Sequence, residues 1–278
     1  MKRSVRVVVA CVWLLMAKSE AAPWNLIDNF NSYPLGQTTT ATAGVWTAEF
    51  SATANSNIVI NTQGNALQTK GGAAWRGAKA SLSQWSATLA TGSTATFFWQ
   101  YKALQTATGS FDVMMGLTPS TSNVDTNNAW QDFNVMPFIA GAAGGPNMNA
   151  TNSGGSASTL VSPVTLDAWY NIWVVVDNDS VAPSYDIYTS TGTNNGSLAL
   201  ENARWVNSPS PIAVGQSLDA IGFMAGGQAG SELLVDNIYW ATGTETTNPM
   251  VVPEPAAVLL LGLGAGGLFA GRLRKRTA

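Results

Sequence analysis

Asp167-Ala168-Trp169-Tyr170-Asn171-Ile172-Trp173-Val174-Val175-Val176-Asp177, followed by Tyr185-Asp186-Ile187-Tyr188, is the stretch on which the fold turns. A short apolar run bounded by turn-forming residues and rich in β-branched and aromatic side chains reads as a strand, and here the second run reads as its hairpin partner. The pattern recurs along the chain. Thr94 to Tyr101, Ser110 to Leu117, Trp130 to Ile139, Ala220 to Met224 and Leu233 to Trp240 are similar runs. No amphipathic helix and no internal repeat interrupts them between Ala22 and Pro249. Many short strands without intervening helices predict an all-β fold of two packed antiparallel sheets. Gly141 to Ser158, rich in Gly, Asn, Ser and Ala, reads as a long flexible loop.

Composition narrows the function classes. Of 278 residues only 10% are charged and the net charge is -3. A neutral surface of Ser, Thr, Asn and Gly suits a medium outside the cell, and the lack of a basic patch in the domain excludes nucleic acid as a partner. There is no histidine, which removes His-based triads, His-ligated zinc and the usual neutral-pH general base. The single cysteine, Cys11, lies within the N-terminal apolar stretch rather than at its end, so the leader does not read as a lipoprotein signal, and the processed chain has no disulfide.

Both ends read as trafficking signals. Lys2, Arg3 and Arg6 precede an apolar stretch from Val7 to Ala17, and Ser19 and Ala21 supply the small residues that signal peptidase requires. Residues 1–21 are therefore expected to be a signal peptide. The alternative, a short N-terminal anchor helix, requires a longer apolar run. A β-sandwich domain is expected over 22–241 and a polar linker over 242–251. At the C-terminus, Pro253-Glu254-Pro255 is followed by 16 uncharged residues, Ala256 to Gly271, and by the basic cluster Arg272, Arg274, Lys275 and Arg276. A helix of that length covers about 24 Å, short of a hydrocarbon core of about 30 Å. The basic residues should remain on the cytoplasmic side. The segment 252–278 thus reads as a weak inner-membrane anchor, with the domain facing the periplasm.

Pro-Glu-Pro, a Gly-rich apolar helix and a terminal Arg cluster, in that order, resemble the PEP-CTERM sorting signal of Gram-negative bacteria. The resemblance implies processing by an exosortase and release to the cell surface or an exopolysaccharide matrix. Within the domain, Trp169-Tyr170-Asn171-Ile172 running into Val175-Val176-Asp177, and the last strand Leu234-Val235-Asp236-Asn237-Ile238-Tyr239, resemble strands of concanavalin A-like and laminin-G-like jelly rolls. That resemblance implies that the last strand pairs near the first, Leu26-Ile27-Asp28-Asn29-Phe30.

Four constellations could carry chemistry. Asp28 and Asp236 stand in near-matching contexts; if their strands are neighbours, the carboxylates approach and could hold a structural Ca²⁺, as many lectin-like jelly rolls do. Otherwise each bonds backbone amides at a strand edge. Trp169 and Trp173 alternate with Ile172, Val174 and Val176, so with the latter inward the two indoles face outward, where a sugar ring could stack; Trp130 is a further candidate. The alternative for all three is core packing. Asp177, Asp179 and Asp186 flank a hairpin and read as turn-shaping residues. Finally, a glycosidase needs two carboxylates across a cleft. The Glu-x-Asp-x-x-Glu run of concanavalin A-like retaining enzymes is missing, and Glu232 with Asp236 is the one spaced acid pair that includes a glutamate. We therefore expect an exported, non-catalytic surface or matrix protein that binds extracellular polysaccharide. The alternatives are a glycoside hydrolase or lyase acting on exopolysaccharide, and a structural matrix component without a ligand.

Overall fold

The computed structural model describes residues 24–49, 56–61, 64–71, 75–105, 110–124, 132–142, 144–151, 157–204, 214–226 and 231–251. The expected signal peptide, Trp130, the sorting residues Pro253, Glu254 and Pro255, and the basic cluster lie outside them. Trp24–Thr247 forms one compact unit.

That unit is a sandwich of two antiparallel sheets. The nine-stranded sheet runs β14 (Ser197–Arg204), β13 (Ser184–Thr191), β12 (Tyr170–Asp177), β7 (Thr94–Gln105), β16 (Ser231–Thr242), β5 (Gly64–Lys70), β4 (Ser56–Asn61), β2 (Gly36–Gln37), with β1 (Asn25–Asp28) also on β16. The seven-stranded sheet runs β11 (Ala157–Val161), β10 (Asn147–Thr151), β9 (Pro137–Ala142), β8 (Ser110–Thr118), β15 (Ala220–Ala225), β6 (Arg76–Ser81), β3 (Thr47–Glu49). The period of two explains the layering. Ile172, Val174 and Val176 of β12, Phe97, Trp99 and Tyr101 of β7, Val113, Met115 and Leu117 of β8, and Ile221 and Phe223 of β15 all enter one inter-sheet core.

Two sequence expectations change here. The stretch 141–158 is not one loop: β9 extends to Ala142, and β10 pairs with both β9 and β11. Met148 and Ala150 are fully buried in the core, so alternation at two positions suffices to seat a strand otherwise made of small polar residues. Conversely, residues 132–136 are not part of a strand. They lie over the outer face of the seven-stranded sheet, where Met114, Phe133, Met136, Phe138 and Met224 form a second, smaller apolar cluster. Glycine makes room for it. A Cβ on Gly116 would fall 2.5 Å from the Phe133 ring, and one on its register partner Gly222 would fall 3.0 Å from it.

Candidate functional site

The seam between the first and last strands forms as expected. β1 pairs with β16, with Leu26 opposite Tyr239 and Asp28 opposite Ile238. Both Asp28 and Asp236 are buried, each 6% exposed. Asp28 is a hydrogen-bond hub. Its Oδ1 accepts from the Phe30 N–H at 2.8 Å, and its Oδ2 from the Tyr33 hydroxyl at 2.9 Å and the Trp46 indole at 2.8 Å. Asp236 accepts from the Asn237 main-chain N–H at 2.7 Å and from its amide at 3.2 Å. Phe30 and Asn237 both adopt left-handed backbone, so Asp28 ties the turn after β1 and Asp236 braces a β-bulge within β16. Burial, reinforced by the charge of Asp28, pushes the Asp236 carboxyl up to about 7.

This donor set does not fit Ca²⁺. A calcium ion wants six to eight oxygens, whereas the groups turned onto Asp28 are an amide, a phenol and an indole, whose protons would face the cation. No group of three or more acidic, His or Cys side chains able to hold a metal occurs among the described residues.

Trp169 and Trp173 point to the outer face of the nine-stranded sheet, as alternation requires, but that face is not open at Trp173. Trp173 is fully buried. It packs edge-on against Phe98, with ring centroids 5.0 Å apart, and its indole donates to the Thr247 carbonyl at 3.0 Å. The roof is the chain leaving β16. Gly243 N–H donates to Thr94 O, Glu245 N–H to the Thr96 hydroxyl, and Gly196 N–H to Thr246 O. The stretch read as a polar linker is thus bonded to the sandwich as far as Thr247, and Trp173 is unavailable for stacking. Trp169 is half-buried, and the Lys102 ammonium sits 5.0 Å from its ring centroid. Asp179 caps its turn through the N–H groups of Val181 and Ala182, and Asp186 accepts from Asn202 N–H. Glu232 is held by Gln68 and by Lys70 at 3.6 Å.

One arrangement escaped sequence reasoning. Asp112 lies on β8 between the inward-facing Phe111 and Val113, hence on the outer face of the seven-stranded sheet. Its Oδ1 is buried without a hydrogen-bond partner. Burial alone pushes this carboxyl up to about 6. Beside it stands the half-buried Trp75. The two flank Gly226, where a Cβ would fall 2.8 Å from the Trp75 ring and 2.9 Å from Asp112 Oδ2. Gly226 also donates its N–H to the Asp112 carbonyl. Phe133 fills the middle of this sheet face, so an indole and an under-bonded carboxylate remain at one end, where Asp112 lies opposite the half-buried Ala140. The available signal was a lone acid in an otherwise apolar strand, Phe111-Asp112-Val113-Met114-Met115.

The fold is an all-β sandwich of two antiparallel sheets, and the solved structures it resembles include lectin-like and carbohydrate-active domains. Among them are a carbohydrate esterase from Shiga toxin-encoding bacteriophage phi24B (13% identity, 78% of this chain and 99% of that one, TM-score 0.46). Another is the catalytic domain of a glycoside hydrolase family 131 protein from Coprinopsis cinerea (13%, 81% and 97%, TM-score 0.48). A third is lectin UEA-II complexed with galactose (10%, 78% and 98%, TM-score 0.46). Residues 251–275 match the family model described as PEP-CTERM protein-sorting motif. The motif implies an exported protein, transiently anchored in the membrane and processed by an exosortase. No curated protein sequence matches the chain.

Proposed function

We propose that this is a non-catalytic surface or matrix protein whose sandwich binds a neutral extracellular polysaccharide at Trp75 and Asp112. The observation that carries this reading is the buried, partnerless Asp112 Oδ1 beside a half-buried indole. A buried acceptor without a donor costs stability, which a ligand hydroxyl would restore. An indole offers a flat apolar face to a sugar ring. Among the described residues the site has one carboxylate, Asp112, whereas glycoside hydrolysis takes two.

Retention of the mature protein in affinity gels containing the host's own exopolysaccharide tests the proposal. Retention should be lost in Asp112→Ala and weakened in Trp75→Ala. Uniform absence of retention would leave a purely structural role. Reducing-sugar release by the wild type, abolished in Asp112→Asn, would instead make Asp112 a general acid and the protein a hydrolase.

A further inference from the structure

Six side chains form one row across the nine-stranded sheet. Leu198 is opposite Tyr188, which is opposite Trp173. Trp173 is opposite Phe98, Phe98 opposite Tyr239, and Tyr239 opposite Leu26. A one-residue bulge in β14, between the pairs Leu200–Ile187 and Leu198–Tyr188, brings Leu198 onto the outer face although Leu200 points to the core. Five strand spacings make the row about 24 Å long. None of the six is charged. Phe98 and Trp173 in the middle are roofed over, while the ends are open: Leu26 is 46% exposed and Leu198 is 51% exposed. Exposed leucines at both ends of an uncharged row, with few exposed large hydrophobics elsewhere among the described residues, mark a contact surface.

The chain itself indicates what that surface meets. Its two membrane-directed segments both join the sandwich here. Trp24 follows the expected leader cleavage by three residues, and its ring lies 6.1 Å from Phe98. Thr247 accepts the Trp24 indole on its hydroxyl at 3.4 Å and the Trp173 indole on its carbonyl at 3.0 Å. The sorting motif begins at residue 251, four residues later. From Thr247 to Pro253 the chain spans at most about 20 Å even when fully extended. A sandwich leashed that closely to a membrane segment stays at the lipid surface.

We propose that this row is the face the anchored precursor rests on the membrane, with Trp24, Leu26, Tyr239 and Leu198 at the headgroup level of a zwitterionic lipid surface. Trp and Tyr favour that level because one end of each ring system is apolar and the other polar. The row has no Lys or Arg, and Glu245 lies beside it, so the contact does not depend on anionic lipid or on salt. Alone it is weak, and the tail supplies the effective concentration that holds it. Removal of the tail therefore frees the sandwich. This inference rests on the sorted-and-anchored reading and is independent of the Trp75–Asp112 site.

The chain cleaved after Ala21 has no cysteine, so single labels report cleanly. Leu26→Cys, Leu198→Cys and Thr159→Cys, the last on the other sheet's outer face, would each be placed in the tail-bearing chain in phosphatidylcholine nanodiscs. A charged, membrane-impermeant maleimide should react about tenfold more slowly at positions 26 and 198 than after tail removal, as befits groups at the headgroup boundary, and equally fast at position 159. Entry into the discs with unchanged rates at 26 and 198 would overturn this inference alone. A tail that fails to bring the chain into the discs would overturn the anchored reading as well.

Discussion

Asp236 shows how one residue couples the chain ends to pH. Unfolded, its carboxyl ionises near 4; folded, near 7. Between those values the folded state holds a proton that the unfolded state lacks. Stability is therefore greatest below the unfolded value and falls as pH rises through the folded one, by on the order of 4 kcal/mol. Asp112 acts in the same direction up to about pH 6. Urea midpoints of the wild type should decline from pH 4 to 8, and Asp236→Asn should flatten most of that decline and exceed the wild type at pH 8. Added Ca²⁺ should leave both curves unchanged. Parallel curves for the two proteins would refute this account of Asp236. The repeated Asp-Asn at 28 and 236 was legible as a pair in the sequence. Its chemistry was not, because Trp46 and Tyr33 donate to Asp28 from positions that only folding brings near.

At the scale of elements, the strands were the most legible feature. Alternation in Tyr170–Asp177 and Thr94–Gln105 correctly separates inward from outward residues, since the period of two is a property of the backbone. The segment 132–136 was misread as strand because Phe133 and Met136 are apolar for a different reason: they cover a sheet face, not the inter-sheet core. Gly116 and Gly222 are what allow it. Gly116→Val would drive its Cβ into the Phe133 ring and the Val135 carbonyl, each 2.5 Å away. Overpacking of this kind costs about 2–3 kcal/mol, so thermal denaturation should show the melting temperature falling by roughly 6 °C. Gly144→Ala, which meets nothing within 4 Å, should leave it unchanged within about 1 °C.

For the whole molecule, the decisive fact is that the domain does not end where its last strand does. Gly243 to Thr247 hydrogen-bonds to β7, to the turn at Gly196 and to Trp173. A chain ending at Ala241, the boundary composition suggests, should unfold several degrees below one ending at Thr247, with its Trp emission shifted to the red as Trp173 becomes wet. Equal melting temperatures would show that the segment adds nothing. The sequence by itself determined the sorting motif and the fold class. A sorting tail is read as linear sequence, and strand alternation is a local property of the backbone. Only the tertiary structure decided which outward side chains meet solvent. Trp173 and Asp112 both point away from the inter-sheet core, yet one is sealed by a segment 74 residues along the chain and the other keeps an unsatisfied oxygen beside Trp75. Periodicity says which way a side chain leaves the sheet. What covers it depends on contacts between residues distant in the chain, and these exist only once the whole sandwich has closed.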